Sequence, residues 1–256
     1  MRNENLIRDA KFYLYSKYRI NLDKDDILKF SDTLQIPNFY KIHISPMMDW
    51  EVCHLLLKIF GDSYYLHGIT CYESLNKRIT DSDIVIDCGA NLGLFSAYAA
   101  SQGAKVYAFE PSPITLPYLR QVQELYKDNL TICEYALSDE NTVKDLICCD
   151  NYGATHISTI DINNNHKVEE ISKIECIKLD DFIRYENIYP TFIKADIEGS
   201  EVFMLKGLVN YISNNKPTIS LTTSHRNDDY EKITKIIQEN NIDYSIEQYK
   251  EFLLFY

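Results

Sequence analysis

The sequence predicts an α/β fold: a Rossmann-like sheet, mostly parallel, with an antiparallel closing hairpin and a helical segment ahead of it. Three observations carry this expectation. From residue 83 onward, short apolar runs alternate with helical patterns, as βαβ units require. The first run, Ile84 to Cys88, passes directly into Gly89-Ala90-Asn91-Leu92-Gly93 and then an Ala-rich helix. Near the end of the sequence, Asp243 to Glu247 and Phe252 to Tyr256 read as the two arms of a hairpin.

Taken in order, residues 1–70 form a helical N-terminal cap segment and residues 71–256 the main domain. In the cap, Leu6, Ile7, Ala10, Tyr13 and Leu14 recur at helical spacing, and Trp50 to Phe60 is apolar on one face and stopped by Gly61. After the first strand comes a helix over Leu94–Ser101, closed by Gly103. Lys105 to Pro113 carries the second strand, followed by a helix over Ile114–Tyr126, and Leu130 to Tyr135 is the third. Residues 138–175 break the alternation with β-like pieces at Thr142–Cys148 and Thr155–Ile160. Lys173 to Ile177 returns to strand, and Leu179-Asp180-Asp181 opens a helix with an acidic first turn. Phe192 to Asp196 is the fourth strand of the alternating series, with one helix over Ser200–Ile212. Pro217 to His225 contains the fifth, and Asp228–Asn240 is an amphipathic helix.

The chain of 256 residues, 45% hydrophobic and 25% charged, has the composition of a globular protein. Its formal net charge of -12 and pI near 4.9 repel phosphate backbones, and no Lys/Arg cluster stands out, so no nucleic-acid partner is expected. Seven cysteines without a CxxC spacing fit reduced, buried thiols and a cytoplasmic location. No apolar run approaches the ~18 residues of a membrane span, and the N-terminus mixes charges without a signal-peptide core.

The chemistry concentrates in the first βα turn. Gly89 and Gly93 allow a sharp backbone turn and close approach of a ligand at the carboxyl ends of the strands. Asp87 ends the first strand and Glu110 the second, where it can accept two hydrogen bonds from a ribose diol. An acid at 110 suits NAD equally. Two points favour S-adenosylmethionine. The turn lacks the three-glycine pyrophosphate signature, and a carboxylate at Asp87 repels a pyrophosphate but attracts the methionine ammonium and sulfonium. Ala90, Asn91, Ser112, Ala136, Leu137 and Asp196 are assigned to the same pocket. Glu73, just before the core domain, is placed within reach of the ammonium.

With Val85–Ser96, Val106–Pro113, Ile177–Ile183 and Phe192–Gly207 in view, the sequence resembles the FkbM-type methyltransferase family over roughly residues 83–225. The run Asp196-Ile197-Glu198-Gly199-Ser200-Glu201 is the most specific part. The resemblance implies a class I methyltransferase fold, S-adenosylmethionine as cofactor, and O-methylation of sugars or secondary metabolites. The chain departs from many members in ending the fifth strand with Thr222-Thr223-Ser224-His225, where they carry a Glu.

Candidate catalytic residues are Lys194, Asp196, Glu198 and His225. The first three alternate along the fourth strand and share one face while the chain stays extended. Asp196 is expected beside the methyl group. The bland alternative is a buried Lys194–Asp196 ion pair with Glu198 capping the next helix. His225 follows the fifth strand and has a pKa suited to a general base, against the alternative of a surface loop histidine. Arg226 suits an anionic group of the acceptor, and Asn151, Tyr152 and His156 a sugar. Asp196 and Glu198 offer hard oxygen ligands, but two carboxylates do not define a metal site, and none is assigned. The expected partner is a small-molecule or glycan-precursor acceptor, with a small phosphorylated metabolite as the alternative. An NAD-dependent oxidoreductase and a non-catalytic cofactor-binding protein are the competing functions.

Overall fold

The computed structural model describes residues 70–149, 154–158, 167–249 and 251–256. The expected helices of residues 1–69, together with Asn151 and Tyr152, lie outside these. In chain order the elements are β1 (Ile84–Cys88), α1 (Leu94–Ser101), β2 (Lys105–Phe109), α2 (Leu116–Leu125), β3 (Leu130–Cys133), β4 (Ala136–Leu137), β5 (Thr142–Cys149) and β6 (His156–Ile157). Then follow β7 (Val168–Ile177), α3 (Leu179–Glu186), β8 (Phe192–Ala195), α4 (Glu201–Lys206), α5 (Val209–Asn215), β9 (Thr218–Thr222), α6 (Asp229–Glu239), β10 (Ile246–Tyr249) and β11 (Phe252–Phe255).

The main sheet has seven strands in the order β10-β11-β9-β8-β1-β2-β3. β9, β8, β1, β2 and β3 are parallel, and β11 enters antiparallel beside β9 with β10 closing the edge. Apolar runs such as Ile84–Cys88 and Phe192–Ala195 become parallel strands because only a sheet covered on both faces buries every second residue as well as the first. One face packs on α1 and α2 through Leu94, Phe95, Leu119 and Val122. The other packs on α3, α4, α5 and α6 through Leu179, Leu205, Ile212 and Ile237. α1 is buried over Leu94–Ala100, as expected of a helix apolar all round. Cys71, Tyr72 and Ile79, from the segment before β1, join the same core cluster.

The break in the alternation has a structural counterpart. β4, β7, β5 and β6 form a separate four-stranded sheet rather than extending the main one. β7 is longer than the Lys173–Ile177 piece expected, because Val168–Ser172 continue to pair with β5. Of the expected Thr155–Ile160 piece, His156–Ile157 is strand and 159–166 lie outside the described residues.

The single helix expected over Ser200–Ile212 is two, α4 and α5, parted at Gly207. The Gly207 carbonyl accepts the Asp180 amide, drawing the chain out of helical pairing. Asp180 then serves the second helix. Its carboxylate accepts the amides of Asn210 and Tyr211, at 3.1 and 2.8 Å, the N2 and N3 positions of α5, which has no capping side chain of its own. The acidic first turn of α3 is thus a clamp on its neighbour.

Candidate active site

The topology reverses at β1: the chain leaves it toward β2 on one side and returns through β8 on the other. Such a switch point opens a crevice at the carboxyl ends of the strands. Gly89, Glu110, Asp196 and, three residues beyond β9, His225 all emerge at that end.

The β1–α1 turn is built by its backbone. The amides of Gly89 and Ala90 both donate to the Phe109 carbonyl, at 3.0 and 2.9 Å. Asn91 takes a left-handed conformation, φ 51°, and its amide donates to Glu110 Oε2 at 2.7 Å. Glu110 Oε1 accepts the Ser112 amide at 2.8 Å. Each carboxylate oxygen therefore carries one backbone donor and keeps acceptor capacity. Burial pushes the Glu110 pKa up, against the lowering pull of these two amides. The Asn91 side-chain oxygen is buried without a hydrogen-bond partner among the described residues.

Gly89 is required for a reason the sequence does not show. Its φ is 77°, and a Cβ there would lie 2.2 Å from the Asp196 carbonyl oxygen, so the space beside it belongs to the β8–α4 loop. Gly93 similarly faces Leu119 and Val122 of α2. Both glycines secure packing around the turn. Ser112 is fully buried with its hydroxyl accepting the Ile114 amide, and Ala136 and Leu137 face core clusters.

Asp87 and Lys194 are register partners on neighbouring strands, and both are buried. Lys194 Nζ lies 2.9 Å from Asp87 Oδ1, 3.3 Å from the Cys88 carbonyl and 2.8 Å from the Gly89 carbonyl. Asp87 Oδ2 accepts the Ser96 hydroxyl at 2.6 Å. Burial by itself would lower the lysine pKa, but Asp87 and Asp196 raise it above its usual value. Three expectations change here. The ion pair of Lys194 is with Asp87 and not Asp196, because β8 ends at Ala195 and the alternation of faces stops before 196. Asp87, assigned to the cofactor pocket, has both carboxylate oxygens engaged within the protein, by Lys194 and Ser96. Lys194, expected among the catalytic residues, is enclosed by these partners and holds the turn's carbonyls.

Asp196 continues the ladder through its amide to the Cys88 carbonyl, and its Oδ2 accepts the Tyr72 hydroxyl at 2.8 Å. Tyr72 is buried, edge-on to Phe95 and Phe252, and burial followed by the Asp196 charge keeps its hydroxyl protonated far above neutrality. Beyond Asp196 the chain bends through two left-handed residues, Glu198 at φ 51° and Gly199 at φ 89°. This bend sends Glu198 toward His225 instead of to the helix, whose N-cap is Ser200. His225 Nδ1 lies 2.9 Å from Glu201 Oε1, while Nε2 is 3.5 Å from both Asp196 Oδ1 and Glu198 Oε1. Glu201 is fully buried and also accepts the Ile197 amide.

Burial of His225 would lower its pKa, but hydrogen bonds to Glu198 and Glu201 raise it to about 11. The ring is thus enclosed by carboxylates that favour its protonated form, and it is not a surface histidine. Arg226, next to it, lays its guanidinium over the Phe203 ring at 5.7 Å; Lys144 and Lys206 lie over the same ring at 6.0 and 5.6 Å.

Two other candidates have structural roles. Glu73 accepts the Thr70 and Ile79 amides and the Tyr98 hydroxyl, at 2.8–2.9 Å, which fastens the segment before β1 to α1. His156 is buried with Nδ1 2.9 Å from the Ala154 carbonyl. Sequence reasoning missed Tyr72 and Glu201. Nothing marks Tyr72 among 20 tyrosines, whereas Glu201 stands in the Asp196–Glu201 run as an acid whose helical position turns it inward.

A glycine-bearing turn after β1, an acid after β2 and an acidic loop after β8, on a sheet closed by an antiparallel β11, define a class I methyltransferase fold. The description "Methyltransferase FkbM domain" matches residues 87–246, and the chain belongs to that family. It is 26% identical over 175 residues to the hexuronic acid methyltransferase AglP of Haloferax volcanii, covering 67% of this chain and 68% of that one. It is 32% identical over 117 residues to the 31-O-demethyl-FK506 methyltransferase FkbM of Streptomyces tacrolimicus, covering 44% and 41%. The crystal structure of a methyltransferase FkbM from Methylobacillus flagellatus KT matches with a TM-score of 0.54 at 24% identity, covering 94% of this chain and 62% of that one. Membership in a methyltransferase family sets aside the dinucleotide-dependent oxidoreductase.

The Asp87–Lys194 pair yields a stability test. Lys194→Met strands a buried carboxylate and is expected to cost about 3–5 kcal/mol, and Asp87→Leu to cost a similar amount by stranding the ammonium. The double variant should recover most of the loss. Urea unfolding of the three variants measures this; additive losses in the double variant would mean the two groups are not coupled.

Proposed function

We propose that the protein is an S-adenosylmethionine-dependent O-methyltransferase acting on a hydroxyl of a carbohydrate or related surface-polysaccharide precursor. The observation that carries this reading is the crevice itself, where the Gly89–Gly93 turn and Glu110 stand opposite Asp196 at the switch point. The residues suit the cofactor. Glu110 keeps lone pairs for two ribose hydroxyls, and the buried Asn91 oxygen offers an acceptor to the ligand's ammonium. The carboxylates of Asp196, Glu198 and Glu201 make this end of the sheet acidic, which disfavours a pyrophosphate.

Bound there, S-adenosylmethionine supplies a transferable methyl on sulfur. The chain's residues then act on the acceptor. Asp196, held by Tyr72, orients a hydroxyl for in-line approach, and the buried turn fixes its partner; such positioning is the main contribution an enzyme makes to this displacement. Carbohydrate as acceptor is supported by the relation to AglP, whose name gives hexuronic acid as its substrate. An anionic acceptor, uronate or phosphorylated, is favoured by Arg226, Lys206 and Lys144 around Phe203 in an otherwise acidic chain. Buried thiols such as Cys88 and Cys133, whose pKa values burial raises, suit a cytoplasmic setting. No helix among the described residues is long and apolar enough to cross a membrane.

Three measurements test the reading. Glu110→Ala removes charged hydrogen bonds worth ~1.5–3 kcal/mol, so calorimetry should show S-adenosylhomocysteine affinity falling about tenfold to a hundredfold; unchanged affinity in the folded variant removes Glu110 from the site. Asp196→Asn should leave that affinity intact while lowering turnover about 10²–10⁴-fold. With labelled methyl donor, uronates and phosphorylated sugars should accept methyl more readily than neutral sugars, and Arg226→Ala should raise KM for the anionic acceptors alone. Equal effects on neutral sugars would dismiss the anionic acceptor.

A further inference from the structure

The geometry around His225 points to a divalent-cation site formed by His225 Nε2 and one oxygen each of Asp196 and Glu198. We propose that it takes a first-row transition ion of the Mn2+ or Zn2+ kind. The three ligand atoms all lie within 4.8 Å of one another, at a place where two loops of the sheet's carboxyl edge meet.

The spacing from the ring nitrogen suits two donors of one ion. Two donors bound to one ion at ~2.1 Å with a tetrahedral angle stand about 3.4 Å apart. Nε2 is 3.5 Å from each of two oxygens and equidistant between them, whereas Nδ1 of the same ring makes a 2.9 Å contact with Glu201. That division is the one a metal-bound histidine shows: one nitrogen toward the ion, the other donating to a carboxylate that fixes tautomer and ring orientation. Asp196 is held in the same way, with Oδ2 engaged by Tyr72 and Oδ1 turned to the ring.

One imidazole nitrogen with two carboxylate oxygens is a mixed donor set. Nitrogen disfavours Mg2+ and Ca2+, and the absence of thiolate from the three disfavours the softest ions. Three protein ligands on one side leave coordination positions for an acceptor, the pattern of catalytic rather than structural sites. The ion's role rests on the methyltransferase reading; its binding does not. In that role the acceptor hydroxyl oxygen coordinates the ion and its proton passes to solvent past Glu198, at 26% side-chain exposure the most open of the three. An oxygen lone pair forms the bond to the methyl carbon as the sulfur–carbon pair returns to sulfur, leaving neutral S-adenosylhomocysteine.

The test uses the full chain, stripped with a chelator and titrated with Mn2+ while electron paramagnetic resonance follows free ion. One equivalent should bind, and the bound ion should show nitrogen hyperfine coupling from an imidazole. His225→Gln should abolish that coupling and weaken affinity about a hundredfold. Glu201→Gln, on the side of the ring away from the ligand nitrogen, should weaken it about tenfold to a hundredfold. Should His225→Gln fail to fold, Glu198→Gln, on a more exposed side chain, should lower affinity to a similar degree. No binding at millimolar Mn2+ or Zn2+, or binding unaffected by both His225→Gln and Glu198→Gln, overturns the proposal. Calorimetry with S-adenosylhomocysteine on the same preparation separates the two readings. A chain that binds the nucleoside and no ion loses the cation site alone. One that binds the ion but transfers no methyl loses only the methyltransferase reading.

Discussion

A single buried ammonium organises the ligand end of this sheet. Lys194 projects from the fourth parallel strand into a place where burial works against its charge, and it stays charged because Asp87 is its register partner on β1. Two of its hydrogen bonds go to carbonyls, Cys88 and Gly89, at the point where β1 stops being a strand. The turn after β1 is thus held from below by a side chain and from the side by the Phe109 carbonyl. The pair ties together the two strands between which the topology reverses. With those strands fixed, the loops that follow them have defined starting points.

From those points the loops interlock. The Gly89 turn abuts the Asp196 backbone, so the β1 and β8 loops share one surface with no room for a methyl group between them. The β8 loop bends back through Glu198 and Gly199, and its Glu201 carboxylate reaches both its own backbone at Ile197 and the imidazole of the β9 loop. Arg226 donates its amide to Asp229 at the start of α6, whose pKa burial and then Glu201 raise to about 6. Three successive strand ends are therefore connected by buried polar groups, an arrangement that resists rearrangement because releasing any one group takes a partner from another.

The strand and helix succession was legible because apolar runs and glycine-bearing turns are local signals, and α1, β1 and β2 lie where the sequence puts them. The separate four-stranded sheet was not, because β7 is largely exposed and reads as a polar segment with scattered isoleucines. At the site, the identities of Glu110, Asp196 and His225 as residues on one edge followed from their place after strands. Their partners did not. Whether Lys194 pairs with a residue two positions along its own strand or 107 positions earlier depends on parallel register, which no spacing reveals. The same holds for the three cations around Phe203, which stand at positions 144, 206 and 226 and form no cluster in the sequence.

The hydrogen bond from Tyr72 makes the two oxygens of Asp196 inequivalent. Oδ2 faces a hydroxyl that burial keeps protonated and that can only donate to it; Oδ1 faces the imidazole. The carboxylate is thereby presented edge-on with a fixed polarity. An amide in its place would have to turn its carbonyl to the tyrosine and its NH2 to the ring, putting a donor where an acceptor stood. Position 196 is therefore chiral in a functional sense: same shape is not same chemistry there, and the residue that sets this handedness sits upstream of the first strand, 124 positions away.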